Sequence, residues 1–144
     1  ADPSVRALNM IGKALGVSIS WFFPDPEEAN SPETEFIVRA NKRRALKFES
    51  GVRDELISPT LSGQLELILT TFAPHSSSGE TLYSHKGEEG GYVVAGTLQL
   101  TVEDQVMTLQ KGDAFHFLSS RPHRYANPTD QETSIVWAMT PPHY

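Results

Sequence analysis

The 144-residue sequence contains no cysteine. Disulfides, thiolate zinc sites and cysteine nucleophiles are therefore excluded. Long apolar runs are also lacking, and none approaches the roughly 18 residues needed to cross a membrane. No charged, apolar and small-residue leader opens the chain, so a cytoplasmic protein with no membrane partner is expected. Basic residues are scarce: 12 Lys and Arg stand against 18 Asp and Glu, for a net charge of −6. That balance argues against a whole-surface nucleic-acid binder and leaves room only for a local basic patch. What is present suffices for a core. Apolar residues make up 38% and charged residues 21%, which excludes a wholly disordered chain. The length fits one domain with a small appendage.

Composition divides the chain into three segments. In residues 1–23, Ser4 is placed to cap a helix. Val5, Leu8, Ile11 and Leu15 then recur at helical spacing, and Gly16 supplies a stop. Ser18 can cap a second short helix. Residues 24–35, PDPEEANSPETE, hold three prolines and five acids. They cannot offset their ordering entropy by burial, so a stiff, extended linker is expected. From residue 36 to 144 the pattern becomes period 2 with frequent turn residues, the mark of an all-β sandwich or barrel. Leu65, Leu67 and Leu69 share one strand face, as do Leu98, Leu100 and Val102. Further strands are expected at 92–95, 106–109, 114–117, 123–127 and 133–140. An acidic turn is expected at Glu103–Asp104.

The chemistry-bearing residues gather around two of these strands. Tyr83 and His85 are two apart, so an extended chain sends both side chains to one face. Glu89 follows a glycine-containing turn that folds its carboxylate back toward them. His123 lies on a later strand, with Tyr125 two residues on. Two imidazoles and a carboxylate suit zinc, manganese, iron, nickel or copper, and leave coordination positions open. The alternative is a polar hydrogen-bonded cluster lining an organic-ligand pocket.

The runs YSHKGEEGGYVVAG (83–96) and KGDAFHFLSSRPHRYAN (111–127) resemble the two motifs of a cupin. His85, Glu89 and Gly96 match the first motif; Gly112, His123 and Asn127 match the second. Tyr83 stands where the first motif has its first His, and Ser77 where it opens with Gly. The resemblance implies a cupin-type double-stranded β-helix, or jelly-roll, barrel over 36–144. It also implies a divalent metal, Zn, Ni, Mn or Fe, held by His85, Glu89 and His123, with Tyr83 at the fourth position. The segment PSVRALNMIGKALGVSISWFF resembles the last two helices of the helix-turn-helix domain of phage-repressor-like (Xre) regulators. The helix that enters the major groove normally precedes these two. The expectation is thus a remnant of that domain over 1–23, with DNA contacted through helices the chain lacks.

Other features complete the expectation. Phe115 and Phe117 share a strand face, and Trp137 lies in a row with Ile135 and Met139; both rows are pocket candidates. Arg121 is a candidate clamp for a ligand carboxylate, since guanidinium offers two parallel donors. Arg39, Lys42, Arg43, Arg44, Lys47 and Arg53 read as a solvated edge strand protected by charge. His75 and His143 read as surface residues. The function expected is transcriptional regulation: a small-molecule effector binds in the barrel and controls DNA binding, in a homodimer matched to paired half-sites. The alternative is a metal-dependent cupin dioxygenase or isomerase acting on a small acid.

Overall fold

The computed structural model describes residues 32–142, and these form nine strands with two short 3-10 turns. Six strands make one sheet: β1 (Arg44–Lys47), β2 (Val52–Leu56), β3 (Glu66–Phe72), β9 (Thr133–Thr140), β4 (Glu88–Ala95) and β7 (Ala114–Leu118), in that order. The other sheet runs β6 (Gln105–Gln110), β5 (Thr97–Val102), β8 (His123–Ala126). Every pairing is antiparallel. Phe72, Val93 and Ile135 from the first sheet meet Leu98, Leu100, Val102 and Tyr125 from the second in one buried cluster. Each such side chain contributes about 1.5–3 kcal/mol by leaving water. This is the all-β architecture expected from the period-2 pattern, and the jelly-roll that the cupin resemblance implies.

The sequence places β5 and β9 correctly, and the acidic turn at Glu103–Asp104 joins β5 to β6. The leucine row of β3 shares one face, and that face is the outer one. The buried face of the strand is Glu66, Ile68, Thr70 and Phe72, while Leu65 is exposed and Leu67 and Leu69 are half-buried outside. The inner face carries polar groups because β2 and β9 supply partners for them. Thr70 donates to Asp54 Oδ1 at 2.7 Å and accepts the Trp137 indole N–H at 2.7 Å.

The basic cluster lies where β1 forms the sheet edge, as its charge suggests. Arg43 and Arg53 both pair with Glu55. Within the expected extended linker, Pro32–Glu35 instead forms a 3-10 turn. Glu33 explains it: its carbonyl accepts the amides of Phe36 and Ile37, and its carboxylate pairs with Arg39 at 2.6 Å. The helices expected over 1–23 and the surface reading of His143 lie outside the described residues.

Candidate functional site

Two strands and one loop bring the motif residues together. Glu89 is the second residue of β4, opposite Phe117 of β7 and Met139 of β9, and it points into the barrel, fully buried. Two residues earlier the chain reverses at Gly87, whose φ is +106°. A Cβ there would lie 1.8 Å from the Thr140 carbonyl oxygen, so only glycine fits the turn that returns the carboxylate toward His85. The His85 amide donates to the Ser119 carbonyl at 3.0 Å and anchors this loop on the β7–β8 connection. Tyr83 and His123 exchange backbone hydrogen bonds of 3.0 and 2.9 Å. Directly opposed residues of an antiparallel bridge point the same way, and their rings lie 4.5 Å apart.

His85 Nε2 sits 3.0 Å and His123 Nε2 3.1 Å from the same oxygen, Glu89 Oε1. The other ring nitrogens are tied to carbonyls. His123 Nδ1 donates to Arg121 O at 2.8 Å, and His85 Nδ1 to Lys86 O at 3.3 Å. A carbonyl only accepts, so an imidazole without a second proton turns an Nε2 lone pair toward the carboxylate. Three acceptor atoms thus converge in a buried space, all within 4.8 Å of one another. Such an arrangement needs a positive charge among the three: a proton on an imidazole or a cation bound to all of them. The Nδ1–carbonyl contacts are the kind that orient metal-bound histidines. A zinc-like divalent ion therefore fits the donor set.

The electrostatics agree. Burial opposes charge on Glu89, but His123, Tyr125 and Ser119 outweigh it and hold the carboxyl below its ordinary range. Burial likewise opposes charge on His123, and the Glu89 carboxylate and the Arg121 carbonyl together push it up. Burial and then the Glu89 charge raise Tyr83 well above an ordinary phenol, against a smaller opposing effect of Ser78. Tyr83 thus stands beside the three as a protonated phenol, a poor metal ligand. Tyr125 donates its hydroxyl to Glu89 Oε2.

A cavity of about 380 Å³ opens beside this cluster. Tyr83, His85, Tyr125 and Trp137 line it, together with Asp54 and Thr70. Other expected pocket residues lie elsewhere. Phe115 and Phe117 pack within the core, Phe115 against Tyr125 and Phe117 behind His123 at 4.8 Å. Arg121 is on the surface, its guanidinium donating to Glu103 at 2.8 Å. It sits in the turn before β8, and only its carbonyl reaches the site.

Sequence reasoning missed Asp54 and Thr70. The available signal was parity, since Val52, Asp54 and Leu56 fall on one strand face with a carboxylate between two apolar residues. Thr70→Val keeps the volume but leaves the Asp54 and Trp137 groups short of a partner. We expect it to cost about 1–3 kcal/mol, read from the denaturant midpoint at unchanged slope.

Residues 68–139 match the family model of the cupin domain. The chain belongs to the cupin family. The HTH-type transcriptional regulator PuuR of Escherichia coli is 30% identical over 142 residues, covering 97% of this chain and 74% of that protein. An HTH_3-family transcriptional regulator from Vibrio cholerae superposes with a TM-score of 0.59 at 23% identity, covering 99% of this chain and 75% of the other. The cupin domain of an XRE-family regulator from Enterobacter cloacae gives 0.57 at 18% identity, covering 65% of this chain and 99% of that domain. This cupin is thus kin to helix-turn-helix transcriptional regulators. No helix among the described residues is long and apolar enough to cross a membrane.

Proposed function

We propose that the barrel is the effector-sensing part of a helix-turn-helix transcriptional regulator, acting as a homodimer in the cytoplasm. His85, Glu89 and His123 hold a divalent cation, of the Zn, Ni, Mn or Fe group. A small-molecule effector fills the adjoining cavity and favours one barrel geometry. The change passes to the DNA-binding helices, and it needs an effector that prefers one state over the other. The observation that carries this reading is the convergence of three buried acceptors on one point beside a cavity. The bound ion would supply a Lewis-acidic anchor for an effector donor atom. Kinship with regulators favours sensing over turnover.

The cavity also bears on the effector's charge. Among the described residues its ionisable lining, besides the phenols, is Asp54 and His85, with no Lys or Arg. Asp54 is 3% exposed, and the Trp137 and Tyr125 rings stand nearby in the same wall. A buried carboxylate with aromatic faces selects an organic cation. Arg121, the candidate clamp for a ligand carboxylate, is not part of this lining. The test is a thermal-shift screen of alkylamines, amino acids and organic acids, with and without divalent metals. At a hundredfold excess over Kd, a true effector adds about 2.7 kcal/mol. We expect amines to stabilise the wild type and to lose that effect in Asp54→Asn. Stabilisation by acids alone would sink the charge assignment, and turnover of any hit would sink the sensor reading.

A further inference from the structure

The two oxygens of Glu89 have different partners. Oε1 faces both imidazoles, at 3.0 and 3.1 Å. Oε2 accepts the Tyr125 hydroxyl. That phenol has no freedom to leave. Its ring is fully buried, edge-on to Trp137 at 4.8 Å between centres and tilted against Phe115 at 5.7 Å. The register of β8 against β5, with Tyr125 opposite Leu100, fixes its height in the barrel.

A carboxylate binds a cation through one oxygen or through two. We propose that Tyr125 is a positioning residue that makes Glu89 a one-oxygen ligand and so keeps coordination positions open toward the cavity. The inference rests on the metal reading above. With three protein donors, a four- to six-coordinate cation keeps about one to three positions for other ligands. Of the three donors His85 lines the cavity, so an incoming ligand would reach such positions from there. Without the Tyr125 proton, Oε2 is released to swing onto the cation and take a position the effector would use. The residue thus sets whether the site is open or closed to an incoming donor.

The experiment uses Co²⁺ as a spectroscopic probe and azide as a small incoming ligand. Tyr125→Phe keeps the ring and removes only the hydroxyl. The wild type should bind one Co²⁺ and then azide. The variant should show a weaker ligand-field absorption, as its coordination number rises by one. Its azide affinity should fall about tenfold or more, in the range of lost outer-shell partners. A folded, cobalt-loaded variant with the wild-type spectrum and azide affinity overturns the proposal. Should the variant fail to fold, a crystal structure of the cobalt-loaded wild type decides. One Glu89 oxygen on the metal, with the other on Tyr125, supports the assignment, and both oxygens on the metal overturn it. A wild type that takes up no Co²⁺ overturns the metal reading and this inference with it, a result distinct from an unchanged variant.

Discussion

Asn127→Ala should lower the unfolding free energy by about 3 kcal/mol, from the loss of partners around one buried amide. Its Nδ2 donates to three carbonyls: Phe72 and Ala73 at 3.2 Å, and Gln131 at 2.7 Å. Its Oδ1 accepts the Thr129 amide at 3.0 Å and the Thr129 hydroxyl at 2.7 Å. One side chain, 1% exposed, therefore pins the end of β3, the end of β8 and the turn into β9. After truncation, water reaches the groups near Gln131 and Thr129 more easily than the Phe72 carbonyl, so the cost concentrates on the β3 end. Against a typical total of about 5–15 kcal/mol, this is a large fraction. Urea titration at constant slope measures it. Asn127→Asp sharpens the test: it keeps the acceptor for Thr129 but sets a second oxygen against three carbonyl oxygens. It should destabilise at least as much. An aspartate variant near wild-type stability would contradict the donor role.

The second cupin motif is therefore legible in two ways. His123 and Asn127 are four residues apart, and one faces the site while the other closes the barrel end. The strands around them were readable because Gly96, Gly112 and Pro128 punctuate a clean alternation. β1 was readable only as a charged edge, which it is, and β2 was not, since VRDEL carries charges that look solvated but are paired with each other and with Arg43. The inner face of β3 was hidden for a related reason. Glu66 and Thr70 are buried there, and the Asp54 and Trp137 groups that satisfy Thr70 come from strands 16 and 67 residues away. Local periodicity sees hydrophobicity and has no view of such partners. The same blindness sent Arg121 to the cavity in the sequence reading, although Glu103, across the β5–β6 turn, holds it outside.

Glu89→Gln should move two observables in opposite directions. In metal-free protein at a pH above the raised titration of His123, the wild type packs a carboxylate oxygen and two Nε2 lone pairs together at 3.0–3.1 Å. The substitution keeps the volume and removes a buried charge, and its amide can turn two N–H donors toward the two imidazoles. A carbonyl oxygen remains for the Tyr125 hydroxyl. At that pH apo stability should therefore rise by about 1–2 kcal/mol, as when an uncompensated buried charge gives way to neutral hydrogen bonds; at lower pH the His123 proton compensates the carboxylate and the gain is lost. Metal binding should collapse, because an amide is a weaker ligand and its N–H groups now occupy the lone pairs a cation needs. Changes to outer-shell partners already cost about 10–100-fold in affinity, so a loss beyond about 100-fold is expected for a ligand itself. Melting in EDTA measures the first effect, and zinc competition against a chelating dye, on protein without a histidine tag, measures the second. If Glu89 only completes a hydrogen-bonded cluster, the variant will melt lower in EDTA, and added zinc will stabilise neither protein. A stabilised apo form that has lost its zinc response would mark a site built for a cation.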